Sequence, residues 1–573
     1  MKNAEIPIII AASGHRDLKN PDAVKQQLRE FFAQLKHNLP DTTFCLMSGL
    51  AAGADQLFVA AGKEVLANNA EIIAVLPFAR DEYRNDFSGK DLEFYDTALD
   101  NAKKIIELSG TRSNESVSYK AVGEYLTENA NILVALWDGN VPYSVNGKKI
   151  CGGTADVVDL WLNYERDRPE MLFSSHKFLD VIKIPVERID NSCRINRKYV
   201  MQENIKAGCG EIIEWQPGKN RFMKTLFHNR NTDYALLQID AFNALCHQDD
   251  PNRQISKQYL GISDTSGVEH KIERFGILDA FSNFVQKRYI HQFNIIFALS
   301  LILGIFAQIY GGVEHNFLSF SVIGSFIRPI TLTLPLYFIF FLALFLYSFF
   351  QRSSGCDNKY LDYRALAEVL RVDIFWKIAG VDSKVEKYFL SKSKNGLEWI
   401  AIAMHNWHAL DDAMSGEIEN TTDVLKAWVV DQHKYYAKKN KLLQQKARKI
   451  NFWAKLFFIF SFIFGIVFMI DTFMVPIFYG ELKEVLYAVN GITVGIGSFL
   501  MASLMFLAEK KGWVSTADSY KQSAKLFSNI LEKIKNSDAE TQKIYLLYLG
   551  KEALKEHEQW LLSSRQRKPE PNI

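Results

Sequence analysis

Five short apolar runs punctuate the first third of the chain: Ile8-Ile9-Ile10, Phe44-Cys45-Leu46-Met47, Ile72-Ile73-Ala74-Val75-Leu76, Ile105-Ile106, and Ile132 to Trp137. Their unbroken apolar character, without polar alternation, predicts strands buried on both faces. The segments between them space apolar residues as helices do, with Val24, Leu28, Phe31, Phe32 and Leu35 in one and Leu57, Val59, Ala60 and Val65 in another. Strand alternating with helix predicts an α/β doubly wound parallel sheet of Rossmann-like type, to which Val181 to Ile184 adds a last strand. An irregular, moderately basic stretch from about Arg194 to Arg230 reads as a connector.

The pattern then changes. Four long apolar segments, roughly Tyr289 to Ile309, Ile330 to Phe350, Phe452 to Phe473 and Val485 to Leu507, each approach the length that crosses a bilayer core. They predict an all-α membrane region of four transmembrane helices in two hairpins. The connections inside each pair, near Gly311 to Arg328 and Val475 to Glu484, hold few basic residues. Lys287, Arg288, Arg352, Arg448, Lys449, Lys510 and Lys511 flank the opposite ends, and this bias predicts a multi-pass protein with both termini in the cytoplasm.

The stretch Tyr363 to Leu370 after the first hairpin matches Tyr520 to Phe527 after the second in its Tyr, Ala and large apolar positions, as a duplication or as two similar amphipathic helices would. The expected organisation is an α/β domain at 1–192, a cytoplasmic connector at 193–286, hairpins at 287–350 and 451–508, a cytoplasmic helical segment at 351–450 between them, and a cytoplasmic helix with a disordered tail at 509–573.

Charge and cysteine content narrow the classes. With 67 basic and 65 acidic residues in 573, the formal net charge is +2, so no overall field recruits nucleic acid and none is expected as a partner. Cys45, Cys151, Cys193, Cys209, Cys246 and Cys356 contain no C-x-x-C pair, which speaks for reduced thiols and against a metal knot. Met1 to Ile10 lacks the basic start and long apolar core of a signal peptide, so the first domain is expected in the cytoplasm. The spans carry almost no ionisable side chain, Asp471 lying near the outer end of the third, which disfavours a proton relay. Asn490, Gly491, Gly495 and Gly497 in the fourth suit either close helix packing or pore lining. Phe338, Phe340, Phe341, Phe345 and Phe349 in the second either face lipid or form an apolar constriction.

A doubly wound sheet binds ligands over the carboxyl ends of its strands, where glycine-rich turns let backbone N–H groups approach phosphate. Gly14-His15-Arg16 follows the first run, Ser48-Gly49-Leu50-Ala51-Ala52-Gly53-Ala54-Asp55 the second, Pro77-Phe78-Ala79-Arg80 the third and Asp138-Gly139 the run ending at Trp137, while Gly152-Gly153-Thr154 opens an apolar helix. His15 is a ligand contact or a turn histidine. Arg80 and Arg84 either close over an anion or form a self-paired, solvated charge run.

Ser48 to Asp55 resembles the S-G-x-A-x-G-x-D loop of the DNA-processing protein DprA, Gly14-His15-Arg16 its G-x-R turn, and Gly152-Gly153-Thr154 the G-G-x-G-T region of the LOG nucleotide phosphoribohydrolases. Together they resemble the SLOG superfamily of Rossmann-like nucleotide sensors and hydrolases over about the first third of the chain. The resemblance implies that Gly49, Ala51, Gly53 and Gly153 present backbone amides to phosphate and that Arg16 supplies a charge-assisted contact. It leaves Asp55 either capping the next helix or meeting a ribose hydroxyl.

Where LOG enzymes carry a glutamate, this chain reads Thr154-Ala155-Asp156-Val157-Val158-Asp159, and the shorter carboxylates disfavour hydrolysis. No catalytic residue, metal or cofactor is therefore expected. The membrane half resembles the SLATT effector regions found with SLOG sensors, on Tyr363 to Leu370. The pair of resemblances implies an antiviral effector of the bacterial inner membrane that oligomerises on binding a nucleotide signal from a separate synthase. A cyclic oligonucleotide and an NAD-derived nucleotide such as a cyclic ADP-ribose isomer both fit. The rival reading is a membrane-tethered nucleotide or NAD glycohydrolase using Asp156 or Asp159.

Overall fold

The computed structural model describes residues 4–142, 153–163, 178, 180–189, 194–196, 211–215, 230–248, 252–262, 267–317, 337–347, 356–389, 397–411, 421–473 and 481–566. Strands run over Ile8–Gly14 (β1), Phe44–Ser48 (β2), Ala70–Leu76 (β3), Ala102–Glu107 (β4), Ile132–Trp137 (β5), Asn140–Pro142 (β6), Val181–Pro185 (β7), Arg194–Asn196 (β8) and Ile212–Glu214 (β9). Among them lie helices Pro21–Asn38 (α1), Ala54–Leu66 (α2), Arg80–Tyr83 (α3), Gly89–Asp100 (α4), Glu115–Asn129 (α5) and Thr154–Leu162 (α6). Helices then occupy Arg230–Cys246 (α7), Asn252–Gln258 (α8), Glu269–Phe317 (α9), Tyr337–Tyr347 (α10), Cys356–Ile378 (α11), Glu398–Asp411 (α12), Asp431–Phe473 (α13), Glu481–Lys511 (α14), Trp513–Ile534 (α15) and Ala539–Gln566 (α16).

Seven strands form one sheet in the order β4-β3-β2-β1-β5-β7-β9, and every pairing in it is parallel. Each apolar run of the first third is one of its strands. The central β2 and β5 are buried along their whole length, whereas the edge strand β4 has only partly buried and exposed positions. That contrast follows from helices covering both faces of the middle of a parallel sheet. Helix α1 opens with Pro21, whose fixed φ suits a first turn, and buries Val24, Leu28, Phe31, Phe32 and Leu35. Each such large apolar side chain contributes about 1.5–3 kcal/mol when fully buried.

The chain divides into two compact units. The first takes Met1–Pro251 together with Thr265–Arg274 and Ser383–Ile418. It therefore extends past residue 192: β9 lies inside the stretch expected to be a connector, and α7 packs back through Asn243, which bonds both the N–H and the carbonyl of Ile6 at 2.7 and 3.0 Å. It also recovers α12 from the segment between the hairpins. Asn406 donates to the Pro7 carbonyl at 2.6 Å and exchanges side-chain bonds with Asn131 at 2.8 and 3.0 Å. Trp407 donates to the Glu5 carbonyl at 2.9 Å. Pro7 and Asn131 stand just before β1 and β5, so α12 closes the amino ends of the two central strands.

The second unit is helical among its described residues. Three helices are long and apolar enough to cross a membrane, within Glu269–Ile309, Thr421–Ile470 and Val489–Ile534. Of the second predicted span only the apolar helix Tyr337–Tyr347 is described, and the rest of 330–350 lies outside the described residues. Phe338, Phe341 and Phe345 are exposed on it. In α14, Gly495 lies against Gln308 of α9 and Gly497 against Ser461 of α13, while Gly491 faces open space. Residues two apart sit on nearly opposite sides of a helix, so these two glycines let α14 approach a different neighbour on each side. Outside the apolar stretches, Tyr363 meets Phe281 edge-on at 5.1 Å and Tyr520 meets Tyr436 at a tilt at 5.4 Å, so each of the two matched sequence positions makes an aromatic contact.

Candidate functional site

Numbered along the chain, the strands build outward from β1 to β4 on one side and from β5 through β7 to β9 on the other. The winding reverses between β1 and β5, the position at which doubly wound sheets bind ligands beyond their carboxyl ends. The turns after these two strands meet there. His15 Nε2 is 3.1 Å from Asp138 Oδ1, with both side chains nearly buried. Burial would raise the Asp138 carboxyl, but the His15 contact and the Asn140 N–H hold it below the usual range. On its other side His15 Nδ1 is 3.4 Å from Arg188, which pairs with Asp17 at 2.6 Å.

The Ser48–Asp55 loop lies against the first turn. Gly53 has φ +87°, and a Cβ there would strike the Arg16 carbonyl. A Cβ on Gly14 would strike Ala54, whose N–H donates to the His15 carbonyl at 3.1 Å. Both positions need glycine for close approach, Gly53 also for its left-handed backbone. Leu50 takes φ +54° without being glycine, and its N–H donates to Ser48 Oγ at 3.0 Å.

Asp55 is buried. It accepts from the Ser48 hydroxyl at 3.1 Å and from the N–H groups of Gly14 and Ala51. Burial pushes its pKa up to about 6 against the opposing pull of these donors and of Arg16. The carboxylate thus clamps the β1 and β2 turns to each other. Gly49 fits with ordinary contacts to Asp55 and Val122.

The other predicted residues divide. Arg80 is held by Glu107 at 2.8 Å, and Arg84 binds Asp96 through two bonds at 2.8 and 2.6 Å, so both engage in local ion pairs. Pro77 is buried, with its carbonyl beside Gly110. Gly139 has φ +86° at the turn after β5. Gly153 precedes α6 with open space around its Cα, and Thr154 is buried in the first turn. Gly152 lies outside the described residues.

Sequence reading overlooked three contributors: Arg188, Arg112 and Tyr119. Arg188 follows β7 without any glycine motif to mark it. Arg112 lies 4.1 Å over the Phe78 ring and pairs with Asp86 at 2.7 Å, and Tyr119 donates to Asp86 at 2.8 Å. Arg16 is exposed, and its guanidinium carbon is 5.2 Å from the Tyr119 ring centroid. Among the described residues no group of His, Cys, Asp and Glu is arranged to hold a metal.

No protein-family model matches this sequence, and no curated protein matches it.

Proposed function

We propose that this chain is a nucleotide-signal-gated membrane effector of the bacterial inner membrane, acting in antiviral defence by abortive infection. The observation that carries the reading is the pairing, in one chain, of a glycine-turned switch-point site bearing an exposed Arg16 with three helices of membrane-crossing length. The SLOG-like and SLATT-like sequence resemblances support it. In this reading a cyclic oligonucleotide, or an NAD-derived nucleotide such as a cyclic ADP-ribose isomer, is made by a separate synthase and binds over the β1 and β2 turns. Binding favours a homo-oligomer whose four-helix membrane region permeabilises the bilayer, to the extent that the ligand prefers that state. Both termini are cytoplasmic.

The test uses the full-length protein in dye-loaded liposomes with a panel of these nucleotides. Leakage induced by one of them supports the reading, and a panel that leaves leakage at the ligand-free level sinks it. The rival reading, a tethered glycohydrolase, draws on Asp156, buried in the first turn of α6, or on Asp159, half-buried three residues on. It predicts that the bound nucleotide is recovered as free base and phosphoribose product.

A further inference from the structure

The arginines of the strand-end loops differ in one respect. Arg80, Arg84, Arg112 and Arg188 each hold a carboxylate, in Glu107, Asp96, Asp86 and Asp17. Arg16, among the described residues, has no carboxylate within ion-pair distance. Its charge is favoured first by a side-chain hydrogen bond with Tyr119 and only weakly by Asp55, which is itself engaged by three other donors. The guanidinium instead rests on the half-exposed ring of Tyr119.

That ring does not stand alone. Beneath it lie the buried rings of Phe78, 5.9 Å away and edge-on, and Tyr83. Asp86 fixes the Tyr119 hydroxyl and, through Arg112, the Phe78 ring. An exposed arginine on a ring whose orientation is fixed from below is a flat cationic platform. Guanidinium planes stack on aromatic rings, and their edges donate to phosphate. His15 turns toward Asp138, whereas the next residue, Arg16, turns toward α5, so the platform adjoins the switch-point site on its β3 side.

We infer that Arg16 and Tyr119 form the base-recognition subsite, stacking the heteroaromatic ring of a nucleotide while the guanidinium edge holds an adjoining phosphate oxygen. The inference rests on the nucleotide-site reading above and narrows it: the ligand must carry a flat base next to a phosphate, and phosphosugars without a base are discriminated against. Stacking of this kind tolerates any base, so the platform selects for the presence of a ring and leaves its identity to other contacts.

The experiment compares AMP with ribose 5-phosphate, which differ only in the base, by calorimetric titration of the full-length protein in detergent. Wild type is expected to bind AMP at least tenfold more tightly. Tyr119→Ala is expected to remove that preference, weakening AMP tenfold or more while changing ribose 5-phosphate less than twofold. Tyr119→Phe, which keeps the ring, should restore AMP to within about threefold of wild type, and its melting temperature checks that the fold is intact. Equal affinity of the wild type for both probes, an unchanged AMP affinity in Tyr119→Ala, or an equal loss for both probes overturns the subsite and leaves the nucleotide site standing. Failure of the wild type to bind either probe overturns the nucleotide site, and this inference with it.

Discussion

His15 and Asp138, 123 positions apart in sequence, meet at 3.1 Å and join the turns after the first and fifth strands at the point where the sheet reverses its winding. The pair sets the spacing of the two turns that any ligand at this point must touch. Asp138 is held ionised by its partners, so the hydrogen bond it accepts from His15 is charge-assisted. Asp138→Asn is expected to lower stability by about 1–3 kcal/mol. Nucleotide affinity should fall with it, as read by thermal unfolding with and without ligand.

Gly53 and Gly153 were expected to play the same role, yet their surroundings differ. A methyl at Gly53 meets the Arg16 carbonyl and requires a positive φ, whereas Gly153 has φ −93° and open space. Gly53→Ala should therefore cost about 1–3 kcal/mol and abolish nucleotide binding. Gly153→Ala should fold like wild type, and denaturant midpoints separate the two cases.

Asp55 gives the site a pH dependence of defined sign. Its folded pKa of about 6 lies above the unfolded value, so the folded state holds the extra proton. The stability that Asp55 contributes is fully present below about pH 4 and is lost as pH rises through 6, by about 3 kcal/mol in all and about 1 kcal/mol between pH 5 and pH 7. Asp55→Asn should flatten this part of the profile in urea unfolding, and an unchanged slope would assign the dependence to other groups.

Asn406 fills hydrogen-bonding positions on both Pro7 and Asn131. Asn406→Ala strands these buried groups, and a loss of about 2–4 kcal/mol is expected. Faster proteolysis near residues 383–418 would accompany it if α12 is held as described. Cleavage at the wild-type rate would count against that contact.

Six strands of the main sheet were legible because each is a contiguous apolar run; β6, β8 and β9, three residues each, were not. Ser48 to Asp55 announced its turn through glycine spacing, and the structure adds that Asp55 clamps the turn while Arg80 and Arg84 pair locally. His15 with Asp138, Arg16 with Tyr119, and Arg188 with Asp17 are side-chain meetings between loops far apart in sequence, for which one chain offers no local signal. The docking of α12 was hidden for a related reason. Its buried Trp399, Trp407 and Asn406 mark an amphipathic helix but do not name the surface that receives it.

That docking also orders the birth of the protein. The ribosome releases the sheet first, but the carbonyls of Glu5 and Pro7 and the side chain of Asn131 wait for Asn406 and Trp407, more than 270 residues later than Asn131. By then the long apolar helix α9 has already been synthesised. A nascent chain stopped before residue 398 holds every strand of the sheet and lacks the helix that closes its base. Maturation of the α/β unit is thereby tied to synthesis of the apolar segment that precedes its last piece.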